Sequence, residues 1–156
     1  MPAVAQKLPA EEKPAPPTFP SRRFYGPDFD QYGLWLLARL KEKFDELPER
    51  KALGWLRGLS QSNEYLFITN EKAVMLCDQE HSQLNPAPVI REIFCFAHDG
   101  GLQHAASLYA DMKRWAVSIG STYLICMRAS DVPQPMIEEM LGTKLYPRRT
   151  FYARTD

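Results

Sequence analysis

Residues 89–127 constrain this chain more than any other stretch. Val89 to Ala97 reads VIREIFCFA, a β-branched and aromatic run that becomes apolar on both faces toward its end, as in a central strand. His98-Asp99-Gly100-Gly101 is a turn. Over 102–119, Ala105, Leu108, Tyr109, Met112, Trp115, Ala116 and Ile119 recur at helical spacing, and Gly120 ends the run. Residues 122–127 (TYLICM) read as a second buried strand. Strand, turn, long helix and strand in this order make a βαβ unit, in which the helix crosses over to return the chain parallel to its first strand.

The flanking segments extend that unit into an α/β domain with a mixed sheet. Asp28 or Asp30 can cap a helix over about 30–46, with Trp35, Leu36, Leu40, Phe44 and Leu47 on one face. Pro48 stops it. A second helix over 49–60 carries Ala52, Trp55, Leu56 and Leu59, and Gly54 and Gly58 either weaken it or permit close packing. The period then falls to two. Residues 65–69 and 73–77 flank Asn70-Glu71-Lys72 as a hairpin, and 80–88 (EHSQLNPAP) is a loop. Asp131-Val132-Pro133-Gln134-Pro135 caps a short helix that ends at Gly142, and 145–154 reads as a last strand that Pro147 interrupts early. A first strand falls at about 22–25.

Composition bounds the function. The 156 residues suit one domain, placed here at 22–156. Six of the 13 prolines fall in the first twenty residues, so 1–21 is an extended arm rather than a helix or central strand. Lys plus Arg and Asp plus Glu number 19 each. A zero net charge argues against a nucleic-acid partner held by phosphate neutralisation. No apolar run approaches the roughly 18 residues of a membrane span, and no apolar leader core is visible, so a cytoplasmic protein is expected. Cys77, Cys95 and Cys126 are odd in number and widely spaced, which suits a reducing compartment. His98 and His104 lie across a turn, and His81 stands apart, so no metal site is expected.

The order of elements resembles the GNAT N-acetyltransferase superfamily over about 22–154, most closely its small, divergent members from tailed bacteriophages. The resemblance rests on the element order and on the terminal pattern Leu145-Tyr146…Thr150-Phe151-Tyr152. It implies a GNAT-like, mostly antiparallel central sheet flanked by helices. It also implies a cofactor, acetyl-CoA, in the cleft between the strands at 89–97 and 122–127. Its pyrophosphate would rest on backbone N–H groups at the start of the following helix, where orphan donors and the helix dipole bind anions. The cofactor positions would be Phe96, Ala97, His98, Gly100, Gly101, Gln103 and Ala105. The family's turn runs Gln or Arg, two residues, Gly, one residue, then Gly or Ala. Over Gly100-Gly101-Leu102-Gln103-His104-Ala105 only Ala105 fits, and the Gln103 side chain would crowd a phosphate.

The resemblance also implies acid and base positions. The tyrosine that protonates the leaving thiolate falls on Glu138, and the asparagine that opens the last helix falls on Asp131; Tyr146 is the substitute acid. Glu92 stands on the strand that carries the family's base. The degraded turn and the arm favour a structural or partner-binding protein, a phage virion component whose residues 1–20 dock on a protein partner or on other copies of the chain. It would bind no cofactor. The alternative is a working acetyl-CoA-dependent N-acyltransferase acting on a primary amine.

Overall fold

The computed structural model describes residues 16–81, 87–121 and 123–147. Its elements are β1 (Arg22–Arg23), α1 (Gly26–Lys43), α2 (Glu49–Ser60), β2 (Leu66–Thr69), β3 (Ala73–Glu80), β4 (Val89–Ala97), α3 (Leu102–Ser118), β5 (Tyr123–Ile125) and α4 (Gln134–Leu141). The expected α/β class holds. The sheet runs β1-β2-β3-β4-β5, antiparallel throughout except for the parallel pair β4–β5 that closes the βαβ unit.

Two cores lie on opposite faces. Phe29, Leu36 and Leu40 of α1 and Leu56 and Leu59 of α2 pack with Phe67, Val74, Leu76, Phe94 and Phe96. Ala105, Leu108, Tyr109 and Met112 of α3 and Ile137 and Leu141 of α4 pack on Ile68, Met75, Cys77, Ile90 and Cys95. Strand alternation alone would place Ile90, Glu92, Phe94 and Phe96 on one face. The β3–β4 register instead shifts, pairing Leu76 with Phe94 but Cys77 with Glu92. Ile93 is thus the extra residue of a bulge. The bulge sends Ile90 and Glu92 toward α3, and Phe94 and Phe96 toward α1.

Several boundaries differ from expectation. Helix α1 begins a turn early because Asp28 acts from inside the first turn rather than as N-cap. Its carboxylate accepts the Tyr25 N–H at 3.0 Å and two bonds from Arg22 at 2.7 Å each. The helix ends at Lys43, where Phe44 turns extended. Helix α4 begins only at Gln134, because residues 129–131 dock on β4 instead. Strand β3 runs on to Glu80, supported by the pair Asp78–Arg91 on facing strands at 2.7 and 2.9 Å. Strand β5 stops at Ile125. Residues 145–147 are not a strand, so Tyr146 lies on an irregular segment. The rest of the expected last strand, 148–154, lies outside the described residues, as do arm residues 1–15, loop residues 82–86 and Thr122.

Candidate functional site

The site lies where β4 and β5 part. The two strands pair in register from Val89–Tyr123 to Arg91–Ile125. Beyond that point the chain swings outward around one side chain. Glu92 is fully buried, and a buried carboxylate is costly unless its oxygens are satisfied. It accepts the N–H groups of Met127, Arg128 and Ala129 at 2.9, 3.0 and 3.0 Å, together with the Tyr109 hydroxyl. Three successive N–H groups curled around one anion form a nest. Met127 completes it in the left-handed region, at φ 66°, which is uncommon for a residue with a Cβ.

The chain then returns. Cys95 N–H donates to Ala129 O at 2.9 Å, Asp131 N–H donates to Cys95 O at 3.0 Å, and Ala97 N–H donates to the Asp131 carboxylate at 2.8 Å. Arg39 of α1 grips the same carboxylate through two bonds at 2.5 and 2.8 Å and lies 4.6 Å over the Phe96 ring. Asp131 therefore anchors this segment and does not open the last helix. Behind Glu92, the Ser130 hydroxyl stands 2.7 Å from the Tyr109 oxygen. Burial, above all, pushes the Tyr109 phenol well above its usual range, so it stays protonated. Burial likewise pushes the Cys126 thiol up to about 12, and Cys77 and Cys95 well up, which keeps all three as inert thiols.

The expected cofactor residues divide into three groups. Gly100, with φ 74° and open space around it, and exposed Gln103 stand at the start of α3. Helix α3 has no side-chain cap and no acid in its first turn. Gly101 serves packing: a Cβ there would sit 2.4 Å from the Lys72 carbonyl oxygen and 3.0 Å from that of His98. Ala105 is buried beneath the helix. Phe96 faces α1 and stacks on Phe94 at 4.9 Å, and the Ala97 N–H is taken by Asp131. His98 stacks on Trp35 at 3.8 Å, and burial there lowers its pKa.

Of the two acid–base candidates, Glu92 is locked in the nest and Tyr146 is 77% exposed. Tyr146 borders a cavity of about 1050 Å³ that Cys126, Met127, Lys113, Gln134 and Leu141 also line. Glu138 accepts the Leu145 N–H at 2.8 Å, which lowers its pKa and keeps it ionised. Gly100 and Gln103 thus stand together at the start of α3, His98 is engaged by Trp35, Glu92 lies in the nest and Tyr146 on the cavity rim. Among the described residues, no group of three or more His, Cys, Asp and Glu could hold a metal, and no helix is long and apolar enough to cross a membrane.

The bulged β4, the parallel β5 leaving it, and the helix between them can be compared with known proteins. The aminoglycoside N-acetyltransferase AAC(6')-Iy, solved with the bisubstrate analogue CoA-S-monomethyl-acetylneamine, superposes with a TM-score of 0.58 at 16% identity, over 83% of this chain and 92% of that one. The fold is that of the GNAT acetyltransferases. A second structure of AAC(6')-Iy, with CoA, gives 0.53 at 15% identity over 83% and 94% of the two chains. A GNAT family acetyltransferase from Staphylococcus aureus gives 0.52 at 13% identity over 85% and 96%. No family model and no curated protein sequence matches this chain.

Sequence reasoning had no hold on Tyr109, which reads as one more apolar-face residue of its helix. It also missed Arg39 and Ser130. One signal was present: an acid inside VIREIFCFA must find partners if the strand is central.

Proposed function

We propose that this protein is an acetyl-CoA-dependent N-acyltransferase acting on a primary amine. One observation carries the reading: parallel strands part at a bulge, beside an uncapped helix N-terminus, in a fold shared with a protein solved in complex with CoA. The first-turn N–H groups of α3 have no intrahelical partner and favour an anion such as a pyrophosphate. Gly100 leaves the approach open, while Asp99 opposes it with like charge. Acetyl-CoA would supply an acyl carbon activated as a thioester.

The amine must lose a proton before attack, and the leaving sulfur must gain one. In this reading Glu92 accepts the first proton once its oxygens are free of the nest, and Tyr146 donates the second from the cavity wall. Orientation of the amine against the acyl carbon supplies most of the rate. The test is calorimetry with acetyl-CoA followed by acetylation of a panel of primary amines. Absence of heat at millimolar acetyl-CoA removes the reading.

A second reading is a GNAT-fold protein that binds a partner and transfers nothing. It is favoured by the segment 129–131, which already occupies the β4 edge at Cys95–Ala97. In that reading residues 1–20 dock the protein on its neighbours in an assembly such as a virion. Neither the fold nor the matched structures bear on a place in a phage particle. Truncation of 1–20 with unchanged assembly would remove the arm from that role.

A further inference from the structure

We infer that residues 126–131 are a gate over the β4–β5 cleft, held shut by Glu92 and opened by acyl-CoA; the inference rests on the N-acyltransferase reading and gives that site its regulation. Three observations converge on it. First, one side chain holds three successive N–H groups of the segment. The N–H groups of Met127, Arg128 and Ala129 all end on the Glu92 carboxylate, so the three release together. Charge-assisted bonds of this kind are individually strong.

Second, the clasped segment is held in a conformation it would leave if freed. Met127 carries φ 66° without being glycine, and such strain persists only where surrounding contacts enforce it. Met127 is also 43% exposed and Arg128 is exposed, so little packing opposes outward motion of these two residues, and Ala129 is the one buried side chain among the three. The segment has natural ends, at Ile125 where the β5 pairing stops and at Asp131, whose carboxylate Arg39 and the Ala97 N–H hold.

Third, the gate's bonds to β4 are ones a cofactor arm can replace. Cys95 N–H and C=O are held by Ala129 O and Asp131 N–H. The arm of coenzyme A carries amides, which offer the same donors and acceptors in an extended chain. Exchange of one backbone for the other leaves the Cys95 N–H and C=O satisfied. The Tyr109 hydroxyl stays bonded to Glu92 from the α3 side. Opening therefore uncovers a carboxylate that is fixed in place, and bound acyl donor shifts the protein to that state. A base that is locked in the empty protein is free in the loaded one.

A ligand that needs the open state binds with an affinity reduced by the fraction of molecules that are open. Loosening the clasp must therefore tighten binding, whereas a carboxylate that only supports the fold would weaken it. The experiment is Glu92→Gln in the full chain, which sets an amide NH₂ against the donors of the nest. Residue-resolved hydrogen exchange is read at Met127, Arg128 and Ala129, and acetyl-CoA affinity is read by calorimetry. The expected result is exchange at least ~10-fold faster at these three amides than in the parent, with amides of β3 unchanged, and acetyl-CoA bound ~10-fold more tightly. Tyr109→Phe, which keeps the ring in the core and removes one bond to Glu92, is the second variant should the first not fold. It is expected to move both readouts in the same direction by about threefold. Unchanged exchange at 127–129 overturns the gate. Acetyl-CoA binding to the parent that is no tighter in the variants overturns it too, while leaving the N-acyltransferase reading in place. Binding to neither protein ends both.

Discussion

Arg39 and Asp131 tie the two faces of the sheet together at the end of β4. The guanidinium of α1 meets the carboxylate in a fork of two bonds, with about a fifth of each side chain exposed. The same carboxylate accepts the Ala97 N–H. Arg39→Ala should leave that carboxylate without its main partner and strip the cover from Phe96, costing about 2 kcal/mol in urea unfolding. Arg39→Lys should recover little, because an ammonium cannot reproduce the fork. Full recovery by lysine would show that charge alone matters.

Acid should unfold the protein through two carboxylates. Burial by itself would raise the pKa values of Asp28 and Asp131, but the pairs with Arg22 and Arg39 and the N–H bonds from Tyr25 and Ala97 overcome it, so both lie below the usual value. A depressed folded-state pKa contributes stability above the unfolded value, near 4, and loses it as pH falls through the folded value. Stability should therefore decline below about pH 4. In Arg39→Ala the decline should be shallower, since Asp131 loses its largest favourable partner. Urea midpoints measured from pH 6 to pH 2 check this, and parallel curves for parent and variant would count against it.

The glycines should respond in opposite directions. Gly101→Ala drives a Cβ into the Lys72 carbonyl and should destabilise by 2 kcal/mol or more, a value typical of overpacking. Gly54 and Gly58, in α2, have nothing within 4 Å of a built Cβ. Of the two expectations for these residues, close packing is therefore excluded. Alanine at either should raise stability by about 1 kcal/mol. Thermal unfolding of the three variants is the measurement, and a stabilised Gly101→Ala would contradict the turn geometry.

The arm ends on its own chain. Phe19 stacks on His104 at 3.8 Å, and its N–H donates to Ser107 Oγ at 2.8 Å. Phe19→Ala should free this contact at a cost of about 1 kcal/mol. It should also shift the His104 ring resonances and speed amide exchange at residue 19. If the His104 signals stay in place, the stack does not persist in solution.

Periodicity made most of the architecture readable. The helical spacing of Leu36 and Leu40, the alternation around Asn70-Glu71-Lys72, and the β-branched and aromatic residues of β4 each depend on neighbours within one element, and the structure bears them out. Helix ends were read less well. Asp28 reads as a cap because aspartate before a helix usually is one, yet Arg22, six residues away, and the Tyr25 N–H hold it inside the first turn. Asp131 is likewise held by partners remote in sequence, Arg39 and the Ala97 N–H.

The chain's own order of strands and helices, written in hydrophobic period and in Gly and Pro punctuation, determined that it would be α/β with a mixed sheet. What only the tertiary structure decided is the state of the cleft. A single bulge at Ile93 turned Glu92 toward α3, and the carboxylate then collected N–H groups thirty-five to thirty-seven residues further along. A buried charge takes whatever donors the fold brings within reach, and no local pattern records which those will be.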